Sequence, residues 1–160
     1  MLDIPSVSAI IASLGVLIGV VFTVLEVRSL AKTRRTDMLW RLYSSFNSKE
    51  YLEAWLKVWN LEFEDYNDYV NKYGLPFSET SVNVAVGMVC NLFEGAGTLI
   101  EKRLIDLDIV SLLPIGLTWK KIKPLAEGAR KQYNQPGLWV GFEYLVNELQ
   151  KREQQIAKIQ

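Results

Sequence analysis

Histidine is absent from the sequence, and Cys90 is its only cysteine. Because histidine is the commonest general base and the usual zinc ligand, its absence removes both roles from this chain. A single cysteine excludes an internal disulfide, a thiolate metal cluster within one chain and a Cys–His nucleophile pair. Carboxylates, hydroxyls, Lys and Arg remain, and no catalytic motif joins them. The composition therefore favours a protein without catalytic activity, although an enzyme is not excluded. It predicts no metal site and no cofactor.

An excess of charge of either sign is also missing. Lys and Arg together number 18, and Asp and Glu together number 18, so the formal net charge is zero. The chain therefore has no global positive field to attract nucleic acid, and we expect no nucleic-acid partner. The length of 160 residues suits one domain of ordinary size.

Charged side chains are lacking from Ile4 to Leu25. These 22 residues would form a helix of about 33 Å, and the hydrocarbon core of a bilayer is about 30 Å thick. We therefore predict a transmembrane helix within an N-terminal domain of residues 1–35. A cleaved signal peptide fits less well, because Asp3 precedes the run without any Lys or Arg and bulky residues follow it. A buried core helix would rarely carry a basic cluster directly after such a run.

Four basic residues follow the apolar run: Arg28, Lys32, Arg34 and Arg35. Because basic flanks stay on the cytoplasmic side, we expect a single-pass protein of the cell membrane with its N-terminus outside. The second domain, residues 36–160, would then lie in the cytoplasm, and the lipid bilayer is the first expected partner. No Pro or Gly stop signal follows the run, so we expect the membrane helix to continue into this domain.

One face of the predicted transmembrane helix carries small residues: Ser8, Ala12, Gly15 and Gly19. Small side chains let two helix backbones approach closely in lipid, where association depends on packing. We expect this face to form a homo-oligomer or to contact another membrane subunit. The alternative is that the face is incidental, because Gly and Ala are common in membrane helices and a lone GxxxG pair is a weak signal.

Helical signals continue through residues 36–160, and no stretch alternates like a β-strand. The pattern "NSKE" resembles a capping box, Gly74 followed by Pro76 ends a second helix, and Ser78 is the expected cap of a long third one. The fold is therefore predicted to be all-α, with an N-terminal transmembrane helix continuing into a cytoplasmic bundle of about five helices. In residue numbers, the bundle helices are expected to begin at 47–50 and to cover 62–73, 78–104, 118–133 and 138 onward.

Glu94 stands within a strongly apolar helix, yet helical spacing places it among polar residues. The polar stripe consists of Thr80, Asn83, Gly87, Cys90, Asn91, Glu94, Thr98 and Glu101. The opposite arc is wide and apolar, and it includes Val84, Met88 and Gly95. The wide apolar arc predicts a central helix, and the small residues 95–97 are expected to allow close contact with its neighbours.

The polar stripe has two interpretations. In the first, it faces water or a polar seam of the bundle, and Glu94 is a structural acid. In the second, it lines a groove in which Asn83, Asn91 and Glu94 meet an arginine, either Arg41 or Arg130. A buried carboxylate needs such a partner, because its desolvation otherwise costs several kcal/mol.

Several segments together resemble a group of small prokaryotic membrane proteins known only as a domain of unknown function. The segments are the N-terminal span with its basic exit, "NLFEGAGTLIEKRLID" at 91–106, Trp119 with the downstream Arg130, and "FEYL" at 142–145. The resemblance implies a membrane-anchored helical domain, and it carries no catalytic residues to transfer.

Two functions remain open at this point. The first is a membrane-anchored interaction or structural protein, either a scaffold or an accessory subunit of a membrane complex. The second is a membrane-tethered enzyme or ligand sensor that uses a polar groove around Glu94. A cleft lined by the polar stripe would favour the second function, and a filled bundle would favour the first.

The orientation is tested by reporters fused after Gln160. Because the basic flank follows the span, we expect a reporter that works only in the cytoplasm to be active and one that works only outside to be silent. Replacing Arg28, Lys32, Arg34 and Arg35 with Asn should weaken this preference. The reverse pattern of activities in the parent chain would contradict the assignment.

Overall fold

In the computed structural model, residues 4–158 are described, and the side chains of residues 4–12 and of residue 35 fall outside that description. The described part contains six α-helices, one short 3-10 helix and no strand, so the predicted all-α class is confirmed. The helices are α1 (Ile4–Phe46), α2 (Lys49–Trp59), α3 (Tyr66–Tyr73), α4 (Ser81–Glu101), α5 (Ile115–Gln132) and α6 (Val140–Ala157), with the 3-10 helix at Leu107–Ile109.

The chain divides into two compact units between Arg41 and Leu42. The first unit is helical, and every side chain described from Ser13 to Arg34 is exposed. These exposed residues include large apolar ones such as Phe22, which is 68% exposed. By length and composition the stretch Ser13–Phe46 could cross a membrane, and so could α4. The apolar window in α4 is 50% buried, which is typical of the core helix of a folded domain.

The second unit is a bundle in which α4 is the central helix. Its buried face packs against α2 and α6, and aromatic rings join these helices. The ring of Phe93 on α4 stacks on Phe142 of α6 at 4.8 Å, and Tyr51 of α2 meets Phe93 edge-on at 6.4 Å. Trp119 of α5 contacts the other side of this cluster, with its ring 4.9 Å from that of Phe142. The core is therefore a continuous aromatic layer around the middle of α4.

Three helices of the bundle begin later than the sequence predicts. α6 begins at Val140 and not at 138, and competing caps delay the other two. α3 begins at Tyr66 because the side chain of Asp65 accepts a hydrogen bond from the backbone amide of Asp68 at 2.8 Å. α4 is capped by Thr80 and not by Ser78. The hydroxyl of Ser78 instead accepts a hydrogen bond from the Asn83 side chain at 2.7 Å. In both places a competing side-chain bond decides which residue caps the helix.

α5 begins earlier than the sequence predicts. The pair Pro114 and Gly116 reads as a terminator, but α5 starts at Ile115, directly after the proline. Pro114 is the N-cap of α5, and a proline there has no backbone N–H of its own to leave unpaired. Thr118 lies inside the helix, where its hydroxyl donates to the Pro114 carbonyl at 2.7 Å.

The closest approach between helices joins Gly97 of α4 to Gly141 of α6. A Cβ atom placed on Gly97 would lie 1.8 Å from the Gly141 carbonyl oxygen, and one placed on Gly141 would lie 2.8 Å from the Glu94 carbonyl oxygen. The two backbones are therefore in direct contact, and only glycine fits at Gly97. Of the small residues at 95–97, Gly95 does not serve this purpose, because it is exposed and no other group lies within 4 Å of its Cβ position in the described structure.

The backbone contact is tested by Gly97→Ala, with Gly95→Ala as its matched control in the same helix. The added methyl of Gly97→Ala would overlap the α6 backbone, and we expect a loss of at least about 2 kcal/mol in the free energy of unfolding. Gly95→Ala should be neutral or stabilising by up to about 1 kcal/mol, because alanine is the better helix former. The measurement is denaturant unfolding of the full chain in detergent, followed by near-ultraviolet circular dichroism. Equal effects of the two variants would contradict the contact.

Candidate functional site: the polar junction of α4 and α6

Glu94 lies on α4 opposite the first turn of α6, and its carboxylate binds the α6 backbone. Its Oε2 atom accepts a hydrogen bond from the amide of Phe142 at 2.8 Å. Phe142 is the third residue of α6, and the first amides of a helix have no partner within the helix. A negative charge at this end is also favourable for the helix dipole. Glu94 therefore acts as a helix cap supplied by a neighbouring helix.

The residue that precedes α6 explains why this external cap is needed. Trp139 occupies the N-cap position and makes no side-chain capping bond there. An indole carries one N–H donor and no acceptor, so it cannot bind a backbone amide. Trp139 also has a φ of 53°, a left-handed conformation that costs a residue other than glycine on the order of 1–3 kcal/mol. The helix start therefore depends on contacts made by other parts of the bundle.

Asn91 supplies one of those contacts. Its Oδ1 atom accepts a hydrogen bond from the Trp139 indole Nε1 at 3.2 Å, one turn of α4 before Glu94. The Trp139 side chain is buried, and its ring lies 5.8 Å from that of Phe77. Asn91 thus binds the side chain of Trp139, and Glu94 binds the backbone amide of Phe142. We call the set Asn91, Glu94, Trp139 and Phe142 the α4–α6 junction.

Arg130 lies next to this junction and has a different carboxylate partner from the one that the sequence suggests. Its Nη1 atom pairs with Glu143 Oε2 at 2.8 Å, and its Nε atom donates to the Leu138 carbonyl at 2.8 Å. The guanidinium also lies 5.9 Å from the centre of the Trp119 ring. The described ion pair of Arg130 is therefore with Glu143 and not with Glu94. Arg130 fixes the connection between α5 and α6.

The remaining residues of the predicted polar seam lie elsewhere. Asn83 is at the start of α4, about 16 Å along the helix from Glu94. Its Nδ2 atom donates to the Tyr73 carbonyl at 3.1 Å and to the Thr80 hydroxyl at 2.8 Å, and its Oδ1 accepts from the Tyr69 hydroxyl. Asn83 therefore anchors the connection between α3 and α4. Arg41 is the last residue of the first unit.

The exposed side of α4 is rotated from the side that the sequence indicates. Val84, Met88 and Gly95, which fall in the predicted apolar arc, are exposed, whereas Asn83 and Cys90 of the polar stripe are buried. The backbone contact at Gly97 brings α6 beside Glu94. Other members of the stripe stay accessible: Gly87, Glu94 and Thr98 are half-buried, and Thr80, Asn91 and Glu101 are exposed. The stripe therefore lies across the boundary between the buried and the exposed sides of α4.

Burial suppresses the acidity of two ionisable groups in the core, Cys90 and Tyr51. Burial, and then the negative charge of Glu94, raise the pKa of the Cys90 thiol well above its usual range. Burial, and then Cys90, raise the pKa of the Tyr51 hydroxyl. Because a protonated thiol is a poor nucleophile, these surroundings do not activate Cys90.

A shallow cavity of about 540 Å³ adjoins the junction. Asn91 and Glu94 line one side of it, and residues 134–139 line the other. Within the described part of the chain, no group of three or more Cys, Asp and Glu side chains is arranged to hold a metal ion. The polar groups at the base of the cavity bind the backbone and the indole of α6. These polar groups therefore have a structural role, because they join α4 to the start of α6.

Comparison with known proteins places the chain in a family. Residues 10–149 match the family model described as Domain of unknown function (DUF4760). The chain belongs to this family. The matched range runs through both units and contains every residue of the α4–α6 junction, so the predicted resemblance to a domain of unknown function is confirmed. Nothing among the curated proteins and nothing among the solved structures matched the chain.

Sequence reasoning missed the partners of the junction, although one signal for them was present. No Ser, Thr, Asp or Asn lies at positions 135–139, so the residues directly before α6 offer no local cap. A helix that begins without a local cap needs an acceptor from elsewhere in the fold. The half-buried acid Glu94 is that acceptor, and the pairing joins residues 48 positions apart.

The capping role of Glu94 is tested by Glu94→Ala and Glu94→Gln in the DUF4760 chain. Glu94→Ala removes a charged acceptor from a backbone amide and should lower the free energy of unfolding by about 1.5–3 kcal/mol. Glu94→Gln keeps a neutral acceptor, so its loss should be smaller, at about 1 kcal/mol. Glu101→Gln, at an exposed position of the same helix, is the matched control and should change stability by less than about 0.5 kcal/mol.

The same denaturant titration in detergent measures all three variants. If Glu94→Ala unfolds at the same denaturant concentration as Glu101→Gln, the carboxylate does not cap α6.

Proposed function

We propose that this DUF4760 protein is a membrane-anchored helical interaction protein, either a scaffold or an accessory subunit of a membrane complex. The observation that carries the proposal is the first unit, where every side chain described from Ser13 to Arg34 is exposed. Folded proteins in water rarely expose a continuous apolar surface of more than a few hundred Å². A bilayer would cover the apolar part of this helix and leave its basic end in the headgroup region.

The second support for the proposal is the unoccupied small-residue face of α1. A Cβ atom placed on Gly15 or Gly19 would meet no other group within 4 Å among the described residues. This leaves room for the backbone of a second helix to approach closely. The side chains of Ser8 and Ala12, which would extend this face, lie outside the described residues. We propose that the face binds a second copy of the chain or another membrane subunit.

The geometry of the α4–α6 junction favours interaction over catalysis. A ligand sensor or enzyme acting through Glu94 would have to release the amide of Phe142 and leave the start of α6 uncapped. The junction thus supports a domain whose polar groups maintain its shape. In the proposed arrangement, α1 anchors the protein and the helical bundle presents its surface on the cytoplasmic side.

The small-residue face is tested by Gly15→Leu combined with Gly19→Leu. Each added side chain would separate two helix backbones, so we expect association in the membrane to weaken by about tenfold or more. The measurement is Förster transfer between labelled full-length chains in vesicles. Leu17→Phe combined with Val21→Leu adds bulk to the opposite face of the same helix and should leave the transfer unchanged.

The result also distinguishes the two kinds of partner. If the parent chain does not self-associate, the glycine variant should instead lose a subunit that co-purifies from membranes with the parent. Unchanged transfer and unchanged co-purification in the glycine variant would both contradict the proposed face.

A further inference from the structure

An exposed apolar surface runs from α2 to the first turns of α5 in the second unit. We call it the α2–α5 patch, and its apolar members are Leu52, Leu56, Trp59 and Leu117. Leu117 is 60% exposed. The helices that carry these residues bury their other faces in the core, so the patch is a surface in addition to the one that folds the bundle.

Two adjoining shallow grooves make the patch continuous. Trp59 and Leu117 line a groove of about 460 Å³ together with Lys120 and Lys121. Leu52 lines the next groove, of about 330 Å³, with Trp55, Leu113 and Pro114 among its other walls. The rings of Trp55 and Trp59 stack at 5.3 Å and join the two grooves. The patch is thus one apolar strip with an indole pair at its centre.

The charges beside the patch are positive. Lys121 donates a hydrogen bond to the Trp59 carbonyl, and its ammonium lies 6.0 Å from the centre of the Trp59 ring. Lys120 is exposed on the same groove. The segment of α2 carries two Lys and two Glu, whereas α5 carries five basic residues and one acid. Of the basic residues of α5, Lys120 and Lys121 line this groove, so the positive charge at the groove comes from these two lysines.

From these observations we infer that the α2–α5 patch docks on an anionic lipid surface. Indole rings and apolar side chains flanked by lysines are the composition that favours the headgroup region of a membrane. The negative potential of that surface attracts lysines close to it. A second copy of the chain is a poorer occupant, because a twofold contact through this patch would bring the same positive rim onto both sides.

The inference rests on the proposed function, because the anchor supplies proximity. α1 continues from the basic flank to Phe46, and α2 begins at Lys49. From Leu25 to Phe46, α1 is a continuous helix of about 32 Å, so docking requires this part of the helix to tilt toward the bilayer.

The docking is tested with a fluorescent label at Leu117→Cys in the full chain, reconstituted in vesicles. Val84→Cys is the matched control, since Val84 is an apolar residue with 55% exposure on α4. Native Cys90 is buried, so the parent chain reports background labelling. The vesicles contain either phosphatidylcholine alone or an added third of phosphatidylglycerol, and nitroxide-labelled lipids serve as the quencher.

We expect the label at position 117 to be quenched at least about twofold more than the label at position 84 in the anionic vesicles. The difference should shrink in neutral vesicles, at about 0.5 M salt, and in a chain that also carries Lys120→Glu and Lys121→Glu. Equal quenching at both positions under all conditions would overturn the inference. So would protection of the 117 label from aqueous iodide that depends on protein concentration, because that result indicates a second copy.

Membrane anchoring is measured on the same samples by flotation after alkaline carbonate treatment, and this separates the inference from the proposed function. If the chain floats but the label at position 117 is not selectively quenched, the anchor is supported and the docking inference is contradicted. If the chain does not float but added anionic vesicles selectively quench the label, docking is supported and the anchor is contradicted.

Discussion

The direct backbone contact between Gly97 and Gly141 is the constraint on which the rest of the bundle depends. It sets α6 against the polar side of α4, at a distance that leaves no room for a side chain at Gly97. At that distance the carboxylate of Glu94 reaches the Phe142 amide, and the Asn91 amide oxygen reaches the Trp139 indole. The stacking of Phe93 on Phe142 follows from the same approach. Polar bonds and aromatic packing are therefore consequences of one close contact.

The sequence predicts the helical class and the number of bundle helices because those features depend on local patterns. The pattern "NSKE" predicts the start of α2 to within two residues, but the N-cap is Ser48 and not Asn47 as a capping box would require. The helix end at Gly74 follows from a glycine with φ of 84°. The orientation of α4 could not be predicted in the same way. A helical wheel assigns Val84 and Met88 to the core by hydrophobicity, whereas the actual buried side is decided by the small residue Gly97. Which neighbouring helix packs against Gly97 depends on the tertiary structure and not on the local sequence.

The same limit applies to the candidate site. Glu94 can be selected from the sequence as an acid in unusual surroundings, and Arg130 as a cation in reach of a carboxylate. Their partners are a backbone amide and Glu143, and both lie in α6. Backbone amides carry no sequence signature, so composition alone favours the arginine as the partner of Glu94. The absence of a local cap before Val140 is the sequence feature from which the true partner follows.

The cap on α6 also has a temporal consequence. Because Glu94 belongs to α4, its acceptor is synthesised before the amide that needs it, and α4 can leave the ribosome while α6 is still inside. The first turn of α6 is thus received by a surface of α4 that already carries its hydrogen-bond acceptor. A premature stop before Val140 would leave α4 with an uncovered carboxylate and an uncovered aromatic row, which is the kind of surface that quality-control chaperones and proteases recognise.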